Sequence, residues 1–224
     1  MFIQGDIIES LKTMKEKFDL IITDPPYNIK FGYKGIGDNR NDYRNWCIEW
    51  CSLCLNRLND NGNFLVINYP ENNNILYTDL KDKGFNIKQQ LIWRYNTNIG
   101  MSKRKYTRSY RTILHIIKSK NYIFNPIKGE YKNKTDKRIK LLIEQGKAPN
   151  HYDIFEYQLC KNLSKDKKEI GMNQLPYNLV KDMILSYSNI NSKVLDPFVG
   201  NGTSMNIANE LGREGWGIDI VKRF

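Results

Sequence analysis

The chain has 224 residues, 40% of them apolar and 26% charged, with a formal net charge of +11, enough for one sizeable α/β core and too polar for a membrane protein. No apolar run approaches the ~18 residues a bilayer span needs, and Met1-Phe2-Ile3-Gln4-Gly5-Asp6 meets an acid before a secretory stretch could form, so a cytoplasmic location is expected. Four cysteines, with Cys47, Cys51 and Cys54 at helical spacing, fit reduced thiols and exclude a disulfide scaffold.

In chain order, Asp6 can cap a helix beginning near Ile7. Phe18-Asp19-Leu20-Ile21-Ile22-Thr23-Asp24 reads as a buried strand stopped by Pro25-Pro26. Residues 43–58 place Cys47, Cys51, Cys54, Leu55 and Leu58 on one helical face, Asn59-Asp60-Asn61-Gly62 reads as a turn, and Phe64-Leu65-Val66-Ile67 as a strand. A helix over 72–83 stops at Gly84, followed by extended residues 87–95 and, beyond a basic loop, by the strand Ile113-Leu114-His115-Ile116-Ile117. Residues 125–172 are irregular apart from a helix near 139–145. The framework then resumes with helix 177–187, strand Val194-Leu195-Asp196, helix 203–211 and strand Gly215-Trp216-Gly217-Ile218-Asp219. Strands alternating with helices predict a mainly parallel sheet covered on both faces.

Asp24-Pro25-Pro26-Tyr27 sets a carboxylate, two imides and an aromatic plane directly after a strand. Proline fixes φ and lacks an N–H, so the Pro25 carbonyl can be held as an acceptor beside the Asp24 carboxylate. Two acceptors aimed at one point suit an NH₂ group. An exocyclic amine on a base is a poor nucleophile because its lone pair is delocalised, and accepting both hydrogens draws the nitrogen toward a more reactive geometry. Tyr27 is placed to stack on such a base. The plainer alternative is an Asp-Pro turn followed by a core tyrosine.

Asp196-Pro197-Phe198-Val199-Gly200-Asn201-Gly202-Thr203-Ser204 joins a short strand to a helix. Gly200 and Gly202 permit close backbone approach to a ligand, and Thr203 and Ser204 can serve a carboxylate at the helix N-terminus. Asp219 lies 19 positions after Gly200, close to the ~20 at which an acid ending the next strand takes ribose hydroxyls. A generic strand-to-helix turn is the alternative.

Together these motifs resemble those of the S-adenosylmethionine-dependent DNA amino-methyltransferases. Asp-Pro-Pro-Tyr is the family's catalytic motif and Asp-Pro-Phe-x-Gly-x-Gly-Thr its cofactor loop. The resemblance extends to Gly5-Asp6, Gln174-Leu175-Pro176 and Gly217-Ile218-Asp219. The motif order, catalytic tetrad first and cofactor loop last, is similar to that of the β-class adenine-N6 enzymes. The resemblance implies a Rossmann-like α/β fold with circularly permuted motifs. Residues 1–95 and 172–224 would form the catalytic framework and 96–171 a variable, basic target-recognition insert. It also implies adenine-N6 methylation at a short specific site in duplex DNA, as in restriction–modification. Asp24, Pro25, Pro26 and Tyr27 would be catalytic. Asp6, Gln174, Pro176, Asp196, Pro197, Phe198, Gly200, Gly202, Thr203, Ser204 and Asp219 would hold S-adenosylmethionine. Cytosine-N4 methylation and a catalytically silent DNA-binding subunit are the competing readings.

Residues 101–140 hold 13 Lys and Arg against two acids, a net +11 equal to that of the whole chain. A neutral body with one basic segment suits a polyanion partner, the alternative being a solvated Lys-rich loop. Lys103, Arg104, Lys105, Arg108 and Arg111, interleaved with Tyr106 and Tyr110, are the candidate DNA contacts. Three features depart from the family pattern: Arg111 stands where relatives often have Glu, Met172-Asn173-Gln174-Leu175-Pro176 replaces His-Pro-Thr-x-Lys-Pro, and Asp219 is followed by five residues rather than another helix. A sheet face left bare there could be covered by a partner, a homodimer included. His115, His151 and the cysteines lack partners at metal or triad spacing, so no metal is expected.

Overall fold

The computed structural model describes residues 1–29, 32–33, 36–37, 39–96, 103–160 and 174–222. Its elements in chain order begin with β1 (Phe2–Gln4), α1 (Ile7–Thr13), β2 (Phe18–Thr23), the two-residue strands β3 (Gly32–Tyr33) and β4 (Ile36–Gly37), α2 (Tyr43–Arg57), β5 (Leu58–Asn68) and α3 (Pro70–Asp82). They continue with β6 (Asn86–Arg94), β7 (Tyr110–Ile117), α4 (Lys137–Glu144), β8 (Ile154–Glu156), α5 (Tyr177–Tyr187), β9 (Lys193–Asp196), α6 (Thr203–Glu210) and β10 (Glu214–Asp219). Eight strands form one sheet in the order β1-β10-β9-β2-β5-β7-β6-β8. Among them β7 alone runs against its neighbours. The expected mainly parallel sheet is thus present, with β3 and β4 as a separate hairpin.

Successive strand side chains point to opposite faces, so a strand buried on both sides must be apolar throughout. Ile21, Phe64, Val66 and Leu114 pack with Leu11, Trp50, Cys54 and Leu80 on the face covered by α1, α2 and α3. Leu20, Ile22, Leu65, Ile67 and Ile113 pack with Leu179, Met183, Ile184 and Ile207 on the face covered by α5 and α6. The thiols of Cys47, Cys51 and Cys54 are free and buried in the first layer. Local chemistry sets the helix starts: Asp6 caps α1 by accepting from Ile8 N at 2.8 Å and Glu9 N at 3.3 Å, and Pro70 opens α3 where a missing N–H costs nothing.

Asn59-Asp60-Asn61-Gly62 does not end an element. α2 passes directly into β5, whose pairing with β2 jumps from Phe18–Leu58 to Leu20–Asn63, so the four residues form an irregularity within the strand. A Cβ on Gly62 would lie 2.9 Å from Leu58 Cγ and 3.0 Å from the Asp19 carbonyl, so glycine serves close approach here rather than a turn. The segment expected to be variable, 96–171, also contributes β7 to the middle of the sheet and β8 to its edge.

Moving outward from the β2–β9 pair, β9 leads to β10 and β1 on one side, and β2 leads to β5 on the other. Such a reversal of strand order opens a crevice at the carboxyl ends of the central strands. Because β7 is reversed, its first residues stand at that same edge, beside the last residues of β6.

Candidate active site

The carboxyl edge gathers residues that are far apart in sequence: Asp24 after β2, Tyr69 after β5, Tyr110 and Arg111 at the start of β7, Asp196 ending β9 and Asp219 ending β10. Asp24 and Asp196 end neighbouring strands, and charge on Asp24 contributes to raising the pKa of Asp196. The catalytic tetrad and the glycine loop, 172 residues apart from Asp24 to Asp196 in sequence, therefore flank one crevice.

On the acceptor side, Tyr27 donates its hydroxyl to Asp24 Oδ1, and Arg111 Nη1 stands 3.6 Å from Asp24 Oδ2. Burial raises the Asp24 carboxyl above the usual carboxylate range, and the Arg111 charge and the Tyr27 hydroxyl offset only part of that rise. Burial likewise drives the Tyr27 phenol upward, helped by the Asp24 charge, so it stays a neutral donor. Arg111 is itself held protonated despite the cost of burying it, with the Asp24 charge facing it.

The tetrad's backbone is fixed by a polar frame. The Pro26 carbonyl accepts from the Tyr43 hydroxyl at 2.7 Å, and the Tyr27 carbonyl accepts from Asn72 Nδ2 at 2.8 Å. Asn72 also donates to Asn68 Oδ1 at 3.0 Å, and Asn68 donates to Tyr43 at 3.2 Å. Asn28 follows at φ 58°, a left-handed conformation that Asn tolerates. Its side chain bonds the Arg40 amide and carbonyl at 2.7 and 3.2 Å. Tyr27 and Tyr69 pack with ring centroids 4.6 Å apart.

On the loop side, Gly200 and Gly202 sit at φ 52° and 76°, and Gly202 caps α6, so the chain turns tightly into the helix N-terminus. Val199 N donates to Ile218 O at 3.0 Å, and Gly200 N donates to Asp219 Oδ2 at 3.1 Å, tying the loop to β10. Phe198 packs edge-on against Trp46 and Trp50, at 5.5 and 5.3 Å, anchoring the loop to α2. The Asp196 carboxyl accepts from Phe198 N at 3.0 Å and is raised to about 7, chiefly by burial and against the pull of the Ser204 hydroxyl and the Phe198 amide. Asn201 is only 6% exposed, yet neither polar atom of its side-chain amide has a hydrogen-bond partner among the described residues. A buried amide left unpaired is costly, so a roomy polar ligand fits here better than bare packing.

The edge brings together Asp24, Pro25, Pro26 and Tyr27 with Asp196, Pro197, Phe198, Gly200, Gly202, Thr203, Ser204 and Asp219. Asp6 stands two residues beyond β1, which pairs with β10, and its neighbour Gly5 N bonds Asp219 O at 3.0 Å, so Asp6 lies near the end of β10 while capping α1. Gln174 and Pro176 are buried directly ahead of α5, while Met172 and Asn173 lie outside the described residues. Lys103, Arg104 and Lys105 are exposed on the 95–109 connection, as is Tyr106. Arg108 is half-buried, paired with Glu71 at 2.6 Å and 4.0 Å over the Tyr69 ring.

Arg111 departs from the basic group in which the sequence places it. It is 4% exposed and turned inward to Asp24, because the antiparallel β7 buries its odd-numbered side chains with Ile113 beneath α5. It is not laid along an exposed backbone-binding surface. Sequence reasoning also passes over Asn201 and the Asn68-Tyr69-Pro70-Glu71-Asn72 frame. A signal for the latter is four side-chain amides, Asn68, Asn72, Asn73 and Asn74, crowded at a strand-to-helix junction. Among the described residues, no group of three or more His, Cys, Asp or Glu is placed to hold a metal ion, and no helix is long and apolar enough to cross a membrane.

Comparison with known proteins agrees with this geometry. The family model described as DNA methylase matches residues 18–224. The DNA adenine methyltransferase YhdJ of Escherichia coli is 31% identical over 99% of this chain and 79% of its own length. The type II methyltransferase M.HpaI of Haemophilus parainfluenzae is 31% identical over 98% of this chain and 70% of its own. Among solved structures, M1.HpyAVI aligns with a TM-score of 0.69 at 22% identity, covering 99% of this chain and 92% of that one. The PvuII cytosine-N4-specific DNA methyltransferase aligns with a TM-score of 0.75 at 15% identity, covering 98% and 81%. At these identities the two structures share the fold. The match of the family model over nearly the whole chain, together with relatives matched over most of their length, means that this chain belongs to the DNA methylase family.

Proposed function

We propose that the chain transfers a methyl group from S-adenosylmethionine to the N6 amine of adenine at a short specific site in duplex DNA. The observation that carries this reading is the position of the Asp24 carboxylate, directly after β2 and in the same crevice as the glycine loop that follows β9. Donor and acceptor must meet there. The name of the relative YhdJ, a DNA adenine methyltransferase, supports adenine over cytosine.

The bound cofactor supplies an electrophilic methyl group on a sulfonium. Gly200, Gly202, Thr203 and Ser204 at the start of α6 suit its carboxylate, Asn201 offers an unpaired amide, and Asp219 suits ribose hydroxyls. Each carboxylate oxygen has more than one acceptor site, so the bonds Asp219 already accepts from Gly200 and Val221 leave capacity. Asp24 and the Pro25 carbonyl accept the two amine hydrogens, and Tyr27 stacks on the base. The target must be flipped from the duplex to arrive there. Lys103, Arg104 and Lys105 contact backbone phosphates, within a 96–171 region that chooses the site. The proposed setting is cytoplasmic restriction–modification, and the type II names of relatives such as M.HpaI support it. A homodimer is the proposed assembly, supported by Leu141 and Ile143 left exposed on α4.

Single-molecule sequencing of DNA from cells expressing the chain tests the activity. N6-methyladenine should appear at one short motif and vanish with Asp24→Ala. N4-methylcytosine would transfer the reading to cytosine, and unmodified DNA would overturn it.

A further inference from the structure

Neither sequence motif contains Arg111, yet its guanidinium faces the one carboxylate that both the sequence and the geometry put at the centre of the acceptor side. It comes from β7, two strands away from β2, and reaches Asp24 past the end of β5 because the reversed strand begins at the catalytic edge. Three rings fix it: the guanidinium carbon lies 4.8 Å from the Tyr27 ring centre, 4.9 Å from that of Trp93 and 5.4 Å from that of Tyr69. Among the described residues its Nε has no partner, so ring faces, the Asp24 charge and the Tyr95 hydroxyl, not a saturated hydrogen-bond fork, set its place.

We propose that Arg111 is a positioning residue, which holds the Asp24 carboxylate ionised and fixed through Oδ2 and leaves Oδ1 as the oxygen that receives the target amine once the Tyr27 hydroxyl releases it. This rests on the proposed methylation, because it assigns the amine to Asp24. The division follows from the contacts. Oδ1 is held by a neutral hydroxyl on a side chain three residues away, whereas Oδ2 faces a buried, permanently charged group on a central strand. A neutral Asp24 would present a hydroxyl to the amine and lose an acceptor. In this dry setting an uncompensated carboxylate would tend to that neutral form.

The groups facing Asp24 are Tyr27 from its own loop, Arg111 from β7 and Asp196 from β9, with Tyr69, Tyr95 and Arg108 behind Arg111. The Asp196 carboxyl opposes a second negative charge beside it, and the Tyr27 hydroxyl, which favours that charge, is the bond the amine displaces. The burden of keeping Asp24 ionised therefore falls on Arg111. Arginine suits the task better than lysine, since its guanidinium plane lies against aromatic faces.

The test is a carboxyl ¹³C NMR titration of wild type, Arg111→Gln and Arg111→Lys, with the Asp24 signal identified by its loss in Asp24→Asn. In Arg111→Gln the Asp24 midpoint should rise by about 1–3 pH units, the displacement expected from losing an adjacent opposite charge, and the acid limb of the kcat profile should move with it. In Arg111→Lys, which keeps charge but not the stacked plane, the midpoint should stay near wild type while kcat falls at least about tenfold at unchanged KM for DNA. An Asp24 midpoint unchanged in folded Arg111→Gln overturns the proposal. Should that variant not fold, wild-type kcat in Arg111→Lys overturns it instead. A wild-type protein that methylates nothing would sink the proposed function alone, since the titration is read without turnover.

Discussion

Asp219 reaches back to the glycine loop: its Oδ2 accepts from Gly200 N at 3.1 Å and its Oδ1 from Val221 N at 2.9 Å. The acid proposed for the ribose is thus tied to the loop proposed for the rest of the cofactor before any ligand arrives, a form of preorganisation. Asp219→Ala removes both an acceptor for the ligand and a brace for the loop. We expect it to weaken S-adenosylmethionine binding at least about tenfold in calorimetric titration, with DNA affinity unchanged.

Asn201 separates binding from stability. Its amide is unpaired among the described residues, so Asn201→Ala gives up no hydrogen bond to them and relieves a buried unsatisfied group. Thermal unfolding without ligand should leave its Tm equal to or above that of wild type, while calorimetry should show weaker cofactor binding. A lowered Tm with intact cofactor affinity would place Asn201 in the framework instead.

Tyr27 carries two functions that substitution can divide. Tyr27→Phe keeps a ring against Tyr69 and Arg111 but frees Asp24 Oδ1, whereas Tyr27→Ala loses the stacking plane as well. Initial methylation rates should fall less than about tenfold for Phe and well over a hundredfold for Ala. Equal losses in both would assign the role to the hydroxyl.

The exposed basic residues make a separate prediction about salt. Each phosphate contact contributes about 0.9 to the slope of log affinity against log salt. Replacing Lys103 and Lys105 with Ala should flatten that slope by up to about 2 and weaken binding to all sequences alike. Arg111, buried on Asp24, is outside this set. An unchanged slope would move the DNA surface away from the 95–109 connection.

Much of the fold was legible because the strands obey short-range rules. Ile21 and Ile22, or Phe64 and Leu65, must be apolar together only if both faces are covered, and they are. The two motifs were legible because each needs residues adjacent in sequence. Arg111 was misplaced for the opposite reason: its neighbours Arg108 and Tyr110 mark it as surface, and only the antiparallel pairing of β7 with β5 turns it inward to Asp24. The Asn59-Asp60-Asn61-Gly62 stretch carries turn residues, yet tertiary pairing of β5 with β2 absorbs it into a strand. β1, three residues long, carries no periodicity to read.

His115 gives the fold a pH dependence. It is buried, bonds Asn63 through Nε2 at 2.8 Å, and is pushed down to about 3, first by burial and then by Lys88. The unfolded chain takes up this proton near the ordinary 6.5. The contribution of the neutral ring is therefore complete above about 6.5 and is lost as pH falls from there toward 3. Tm should decline between pH 7 and pH 4, and less steeply in His115→Gln. Parallel declines would show that carboxylates alone set the acid sensitivity.

The pairing of β1 with β10 places a time order on assembly. Met1 donates its terminal ammonium to the Gly215 carbonyl, 214 residues away, and β9 reaches its place between β10 and β2 only when residues 193–219 exist. Strands β2, β5, β6 and β7, and with them the Asp24–Arg111 contact, draw on residues 18–117 alone. During synthesis the half proposed to hold the base can pair early, while the half proposed to hold the methyl donor waits for β9 and β10. Until they arrive, the flank of β2 that β9 will cover is an unpaired edge able to recruit other chains.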